Sequence, residues 1–599
     1  MRPTPQRAGS YIMHRWLISP TSLFDSADGR LPSSGSENAR CLHTREHLSM
    51  PTEVPATQGS RRFAYLRTIA RATLDRSIQR KGRQDMRQQR AMGQLLRSLA
   101  FMVAMPSLCL AQDGTQIRAV IQLESGKMSL TSSQAAGDTA SGIFVVDPGT
   151  PKFDLTILDK LGCAGLVAVD EAGRIVTAGT RNDNSYQIRL INRGYYELRC
   201  IRKGDASTES TLSQSIGLIP PTIQKGKLGV MATPDNGKLL DTLSAQWARN
   251  FIYLHTYKMK DGETSFISPP VFANLNWCTR DHECLKVMMP TPRWLRPRDS
   301  IEVTQDAMYP PIDAEKFKAL VEFAIKNDPH TTNYLEALNE PDLWWKGSDD
   351  ELIQYYKLVS EAAKKARPGI KILGPSDATF KIQRLKRLID LGLLKHIDGI
   401  AMHAYGKGAP ENYMPDNLDQ LDTLLSNAGK PNFPVYITEF GWSTTLGDAS
   451  WQGRVTTVEQ AQYITRAAAL LLARHNVRAA LAFTLYHYGE RNVGGYSMLN
   501  YDLSPKPAYV AFSQLAWRFA SVVPSSVSLQ RTKDDVFMIS AKMGEENLIV
   551  AWRPEGRIQI PAPCAPKEVE DMMGRTLPPI GHKSITVDES PLYLVGCRS

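Results

Sequence analysis

The chain has 599 residues, 42% of them hydrophobic, and a formal charge of +10. That length points to about three or four domains, and the hydrophobic share is enough for large cores. The charge is local: residues 1–111 hold 17 basic and 7 acidic residues, and the remainder holds 54 of each, so no general basic face for nucleic acid exists beyond the N-terminal segment.

Residues 1–85 are rich in Arg, Ser and Pro and show no sustained period. From Met86 the pattern changes to a basic start, an apolar run from Leu99 to Leu110, and Ala111. The run is too short to span a bilayer and fits a secretory signal cleaved after Ala111. A mature start near Gln112 and a secreted or periplasmic location follow as expectations. A signal of this kind belongs at an N-terminus, so residues 1–85 read as an over-extended frame with the true start at Met86 or Met92. A disordered basic extension is the alternative for that segment. Lipidation of Cys109 is disfavoured because Leu108 stands where a small residue is expected. No transmembrane run and no internal repeat is visible.

Six further cysteines fall in pairs: Cys163 with Cys200, Cys278 with Cys284, and Cys564 with Cys597. Each pair lies within one proposed domain, which predicts disulfides in an oxidising compartment. No spacing resembles a zinc site, because Cys278 and Cys284 lack a second pair and His282 alone does not supply one.

Residues 112–222 read as a β-sandwich. Tyr186, Ile188 and Leu190 alternate with polar residues, Asn192, Arg193 and Gly194 turn the chain, and Tyr196, Leu198 and Cys200 alternate again. That pattern predicts a hairpin with one buried face. With no obvious row of exposed aromatics, the expected role is to brace the next domain.

From residue 223 to 524, strands and helices alternate, which predicts a parallel sheet with crossover helices. Leu228–Ala232 is a first strand, and Leu239, Leu240, Leu243 and Trp247 mark its helix. Arg249–Tyr257 and Cys284–Met289 are the second and third strands. Asp313 is placed to cap a helix carrying Phe317, Leu320, Val321, Ala324 and Ile325. A fourth strand runs from Tyr334 toward Glu340. Ser348 with Glu351, and Thr456 with Glu459, form capping boxes. Ile370–Gly374, Gly399–Gly406, Phe433–Glu439 and Ala479–Tyr488 complete eight strands, and a last helix spans Ala508–Phe519. Eight such units make a (β/α)8 barrel. Residues 525–599 return to strand patterning and predict a C-terminal β-sandwich.

Two stretches carry chemistry. The run from Tyr334 to Trp345 stops at Asn339, Glu340 and Pro341, where proline cannot continue a ladder. The run from Phe433 to Thr445 ends in Glu439, followed by Gly441 and Trp442. Each places a carboxylate at the C-terminal mouth of a barrel strand, where catalytic groups of such barrels sit. Paired glutamates are what glycoside hydrolysis needs: one protonates the leaving oxygen and the other attacks the sugar. Such a pair requires no cofactor and no metal. Glu336 reads as structural.

These residues resemble the clan A glycoside hydrolases, most of all family 39 and the related Psl-type bacterial exopolysaccharide hydrolases. The Asn339-Glu340-Pro341 run is similar to that clan's acid/base motif, and Thr438 to Trp442 to its nucleophile motif. The likeness spans roughly Leu228 to Phe519 and includes the stretch Gly494–Ala508. It implies Glu340 as acid/base, Glu439 as nucleophile, Asn339 on the sugar 2-hydroxyl, and His403 and Tyr405 lining the site and bonding the nucleophile. Arg249 would support the nucleophile. Trp344, Trp442 and Tyr486 are carried as substrate-binding candidates. One departure is the lack of a tryptophan on strand eight, where the sequence offers Tyr486, His487 and Tyr488. The expected function is a secreted retaining glycosidase acting on a polysaccharide, with a β-linked bacterial exopolysaccharide as the expected substrate. A non-catalytic carbohydrate-binding barrel and a transglycosylase using the same two glutamates are the alternatives.

Overall fold

A computed structural model describes residues 117–598, apart from the segments 125–126, 134–140, 148–152, 161, 202–212, 224, 232–236, 241, 255–256, 260–265, 268–281, 290, 299–306, 329–331, 446–450, 487–493 and 579–582. The expectations for residues 1–111, including cleavage after Ala111, lie outside the described residues, as do Cys278, His487 and Tyr488.

Two five-stranded sheets form the first β-domain. Its core lies between them and includes Phe144, Phe153, Leu155, Ile157, Tyr186, Ile188, Tyr196 and Leu198. The Cys163–Cys200 disulfide closes this core, with Cα atoms 5.5 Å apart. The predicted hairpin is corrected here. Ser185–Leu190 pairs with Phe153–Asp159 in one sheet, while Gly194–Ile201 pairs with Ser213–Ile219 and Gly165–Val169 in the other. Alternation identified the buried face of each strand correctly. It carries no information on which strand lies beside it, and the turn at Asn192–Gly194 crosses between sheets.

The central domain is a closed barrel of eight parallel strands. They are Leu228–Met231, Trp247–Tyr253, Glu283–Met289, Tyr334–Glu336, Lys371–Thr379, Gly399–Tyr405, Val435–Phe440 and Val477–Ala482, called strands one to eight below. Side chains point alternately to the axis and to the helices. Trp247, Leu285, Val287, Leu373, Ala401, Tyr436 and Leu481 fill the lower interior. Trp247 meets the rings of Tyr334 and Tyr436 edge-on, at 4.8 and 5.9 Å between centroids. That layer closes the bottom of the barrel and leaves polar inward residues for its mouth. Gly399 is required beside it, because a Cβ there would lie 2.6 Å from the Tyr436 ring.

Helix signals held where caps and periodicity coincide. Asp313 caps Ala314–Lys326, whose buried residues are Phe317, Leu320, Val321, Ala324 and Ile325. Both capping boxes form, on Asp349–Ala366 and Thr457–Leu472. Pro507 opens the last helix, Pro507–Ala520. The helix expected after strand one is a single turn, Gly237–Leu240, and Trp247 belongs to strand two instead. Regular strand eight ends at Ala482, and beyond it Phe483 N still donates to Phe440 O of strand seven and Leu485 N to Met231 O of strand one.

The C-terminal domain has a five-stranded sheet and a two-stranded one, with a second disulfide between Cys564 and Cys597. Cys284 is also disulfide-bonded. The three domains meet around buried charge. Glu570 accepts from Arg193 of the first domain at 2.8 Å and pairs with Arg518 of the last barrel helix. Arg575 reaches Glu171 at 3.0 Å and the Tyr195 carbonyl at 2.7 Å. Burial pushes the Arg518 guanidinium down to about 10. The bracing role expected of the first domain has these contacts as its physical basis. No helix among the described residues is long and apolar enough to cross a membrane.

Removing one member of a buried ion cluster strands the other charges, which costs about 3–5 kcal/mol. Glu570→Ala should therefore lower the thermal midpoint clearly, and Glu570→Gln less so. Melting curves followed by circular dichroism check this; an unchanged midpoint would show that the cluster does not hold the domains together.

Candidate active site

The site grows from inward-facing residues just above the aromatic floor of the barrel. Arg249, two residues after Trp247 on strand two, points to the axis and is fully buried. Its Nε donates to Glu336 Oε2 at 2.7 Å and its Nη2 to Asn339 Oδ1 at 2.8 Å. Its Nη1 donates to Glu439 Oε1. Glu336 is fully buried as the last residue of strand four, and its other oxygen accepts from Thr438 Oγ1 at 2.9 Å. A buried cation needs paired anions, and here two carboxylates supply them.

Glu439 is aimed by a break in the ladder. Thr438 already faces the interior, so strict alternation would turn Glu439 outward. The register of strand seven against strand eight shifts between Ile437 and Phe440, and against strand six at His403. Such bulges redirect a side chain, and Glu439 consequently faces the mouth. Tyr405, at the end of strand six, donates to Glu439 Oε2 at 2.8 Å. Burial alone would push the Glu439 carboxyl up, but His403, Arg249 and the Tyr405 hydrogen bond outweigh it and hold it below the usual range. Glu439 is therefore ionised. Burial and the Glu439 charge together push the Tyr405 phenol well up, which keeps it a donor.

Glu340 is placed by backbone. Strand four ends at Glu336, and Pro341 opens a one-turn helix, Pro341–Trp344, with Glu340 as its N-cap. Proline suits that first helical position. Glu340 itself is left-handed, at φ 51°, an uncommon conformation for a residue with a side chain. Its N–H donates to Ser376 O at the end of strand five, at 3.0 Å. Its Oε1 lies 3.1 Å from His403 Nδ1.

His403 stands between the two glutamates, with Nδ1 also 3.6 Å from Glu439 Oε2. Burial opposes its protonation, yet the Glu439 charge and the Glu340 hydrogen bond raise its pKa overall. A guanidinium has no acceptor, so the 3.5 Å approach of Arg249 Nη2 assigns a lone pair to His403 Nε2 in the neutral ring. The proton then sits on Nδ1, against Glu340 Oε1.

Nitrogen or oxygen donor atoms of Glu340, His403 and Glu439 all lie within 4.8 Å of one another, close enough to hold a cation. The same closeness suits a pair of carboxyls acting on one glycosidic bond.

The structure thus brings together Glu340, Glu439, Asn339, His403, Tyr405 and Arg249. Asn339 turns its oxygen to Arg249, which leaves its amide N–H groups for a ligand. Trp344 is half-buried on the turn directly after Glu340. Two candidates are corrected. Trp442 is fully buried, donates Nε1–H to Gly408 O at 2.8 Å and packs against Tyr463, so it has no face for a sugar. Tyr486 is buried with its hydroxyl near Tyr501 O at 3.2 Å, beyond the end of regular strand eight. Glu336, read from sequence as structural, is the buried partner of Arg249 and Thr438, though the sequence did not name those partners. Sequence reasoning missed Phe483 and Tyr496, which pack with Met231, Phe251 and Tyr405 as an aromatic floor. Phe483 is the aromatic at the end of strand eight, where a tryptophan was sought. Gln452 ties the mouth loops together by donating to Gly406 O and Gly441 O and accepting from Tyr496.

A family 39 glycoside hydrolase from the gut symbiont Bacteroides cellulosilyticus WH2 is similar in fold, at 18% identity and a TM-score of 0.58, covering 74% of this chain and 96% of that one. A family 39 β-xylosidase from Caulobacter crescentus matches at 15% identity and a TM-score of 0.44, covering 62% and 96%. A family 39 enzyme from Xanthomonas axonopodis pv. citri matches at 14% identity and 0.43, covering 63% and 95%. Residues 330–555 match the model for glycosyl hydrolases family 39, a span that holds Asn339, Glu340, His403, Tyr405 and Glu439. Over that region the chain is similar to the family 39 glycosyl hydrolases, and the protein is a glycoside hydrolase.

Proposed function

We propose that the protein is an exported, retaining glycosidase that cleaves a β-linked bacterial polysaccharide by double displacement. The observation that carries the mechanism is the spacing of the two glutamates. A carboxylate oxygen of Glu340 and one of Glu439 lie within 4.8 Å. That closeness favours the retaining arrangement, with carboxyls roughly 5–5.5 Å apart, over the inverting one at roughly 6.5–9.5 Å.

In the first step Glu439, ionised and oriented by Arg249 and Tyr405, attacks the anomeric carbon. Glu340 donates its proton to the departing glycosidic oxygen. With Oε1 engaged by His403 Nδ1–H, Oε2 is the oxygen free to carry that proton. The product is a glycosyl ester on Glu439. In the second step Glu340 takes a proton from water, the water oxygen attacks the anomeric carbon, and the bond to Glu439 breaks. Asn339 offers amide donors to the 2-hydroxyl. The preference for an exopolysaccharide rests on the likeness of the stretch after strand eight, Gly494–Ala508, to hydrolases of that class.

The roles separate in two variants. Glu439→Gln should lose almost all turnover with any leaving group. Glu340→Ala should slow hydrolysis of natural linkages by about 10²–10⁴-fold, the usual weight of general acid catalysis. With an aryl glycoside whose leaving group needs no proton, it should still form the ester, and added azide should yield a β-glycosyl azide. Ester formation by Glu439→Gln but not by Glu340→Ala would reverse the assignment, and release of the inverted anomer would refute the mechanism.

Tyr405→Phe removes one of the interactions that depress the Glu439 pKa. A hydrogen bond to a charged group contributes about 1.5–3 kcal/mol, so kcat/KM should fall about 10- to 100-fold. The sign on pH is fixed: Glu439 works when ionised, its pKa rises in the variant, and the acid limb of the pH–rate profile moves to higher pH. A limb that stays in place would show that Tyr405 does not tune Glu439.

Export is supported by the disulfides at Cys163–Cys200 and Cys564–Cys597, which persist in oxidising compartments. Mass spectrometry of natively produced protein should find a mature N-terminus near Gln112. A cytosolic protein with intact residues 63–80 would contradict it.

A further inference from the structure

Behind Glu340 lies a second carboxyl pair, Asp342 and Asp377. Asp342 sits two residues after Glu340 on the one-turn helix, and its Oδ1 accepts from Ala378 N at 2.8 Å. Asp377 lies on strand five, 2% exposed, next to Ser376, whose carbonyl receives the Glu340 N–H. Ser376 is left-handed, at φ 68°, as Glu340 is at 51°. The ladder of strand five slips on both sides of Asp377. The acid/base loop and the end of strand five are therefore irregular backbones leaning on each other, joined by two main-chain donors.

Two buried carboxyl oxygens between them lack a partner among the described residues. Arg384, from the helix Ile382–Asp390, donates to Asp377 Oδ1. Among the described residues the remaining oxygens, Asp342 Oδ2 and Asp377 Oδ2, have no hydrogen-bond partner, although both are buried. Of the two carboxyls, the guanidinium hydrogen-bonds that of Asp377. The other groups that act on this pocket are Lys381 at the start of the same helix, and Tyr356, which lies on Asp349–Ala366 and donates to Pro375 O at 2.9 Å. Asp349, at the head of that helix, is 3.9 Å from Arg384 Nη2 and draws on the same cation. Two orphaned carboxylate oxygens in one buried pocket repel unless a single proton joins them. With that proton the pair carries a single negative charge, and Arg384 stands against it.

We propose that Asp342 and Asp377 are a positioning pair for Glu340: their carboxyls share one proton, and this acid–carboxylate hydrogen bond clamps the acid/base loop to the end of strand five. The pair touches neither substrate nor the reacting atoms. It acts through the backbone, by holding the left-handed turn that aims Glu340 at the mouth. Consistent with it, burial and then the Asp342 charge push the Asp377 carboxyl up to about 7.

The proposal rests on Glu340 as proton donor, and its test has one arm that needs no catalysis. An amide mimics a protonated carboxyl, so Asp377→Asn should keep the clamp and Asp377→Ala should break it. With a substrate that needs acid assistance, Asp377→Ala should lose about 100-fold in kcat, as for a misplacement of about 1 Å, with KM little changed. Asp377→Asn should restore most of that loss. For stability, a folded pKa raised from the ordinary value of about 3.9 to about 7 makes the wild type lose stability as pH rises through that window. Asp377→Asn removes the titration, so the difference in melting temperature between wild type and variant should shift in favour of the variant between pH 5 and 8. If Asp377→Asn is as slow as Asp377→Ala, or if its melting follows the wild-type pH trend, the shared proton is refuted. Should Asp377→Ala fail to fold, the melting comparison of wild type with Asp377→Asn decides alone. A wrong role for Glu340 would appear in the azide experiment and leave this melting difference standing.

Discussion

A fully buried guanidinium at the barrel axis sets the terms for everything above it. Arg249 has no access to water, so its charge must be met by protein groups. Glu336 and Glu439 meet it from two strands, and Asn339 takes a further donor. Removing any one partner would leave a charge or a donor stranded. The residues that hold substrate and the residues that hold Arg249 are thus partly the same, and the geometry of the site is a by-product of satisfying one cation. Trp247, Tyr334 and Tyr436 pack as an aromatic layer beneath it.

Regular strands alone could not build this site. Inward positions recur every second residue, yet Thr438 and Glu439 are adjacent and both face the interior. The slip in the strand seven ladder makes that compatible. At strand four the same end is reached by termination: the strand stops at Glu336, and a left-handed Glu340 leads into Pro341. Strand five answers with its own left-handed residue, Ser376. Irregular backbone is concentrated at the mouth, where the inward groups are polar, and the lower barrel keeps ordinary register. Strain at such positions persists only where the surroundings over-determine it, which is the role that hydrogen bonds between neighbouring strand ends perform here.

How much of this was legible follows from what sequence encodes locally. The barrel was legible because its strands are apolar runs bounded by caps that operate within four residues, as at Asp313, Ser348 and Thr456. Glu340 and Glu439 were legible because each ends an apolar run beside a residue that stops or loosens it. Contacts across the barrel were not. Glu336 reads as a polar interruption in a strand, and only closure of the sheet brings Arg249 and Thr438 to it. Trp442 follows a strand end exactly as a sugar platform would, but the loop folds back and buries it against Tyr463. Tyr486 failed for a related reason: periodicity continues past Ala482, while the regular strand ends there and the Tyr486 ring is buried with its hydroxyl on Tyr501 O. The mistaken hairpin at Asn192 belongs to the same class, since alternation reports a buried face and not a neighbour.

The arrangement also explains how a buried cation tolerates a reaction in which one of its counter-ions disappears. In the double displacement proposed, Glu439 becomes a neutral ester after the first step. Arg249 would then be stranded if Glu439 were its sole partner, and the intermediate would be disfavoured by the cost of an unpaired buried charge. Glu336, out of reach of the sugar, keeps its charge throughout and remains bonded to Arg249 Nε. Meanwhile Glu340 has given up its proton and become the carboxylate. Negative charge has moved from one glutamate to the other, and the total in the pocket is unchanged. His403 Nδ1 lies 3.1 Å from Glu340 and 3.6 Å from Glu439, so a single imidazole donor faces whichever of the two is ionised. The second step returns the charge along the same path. A site that keeps its net charge constant in this way needs little reorganisation of its surroundings at either transition state, and preorganised surroundings of this kind are where electrostatic catalysis gains most.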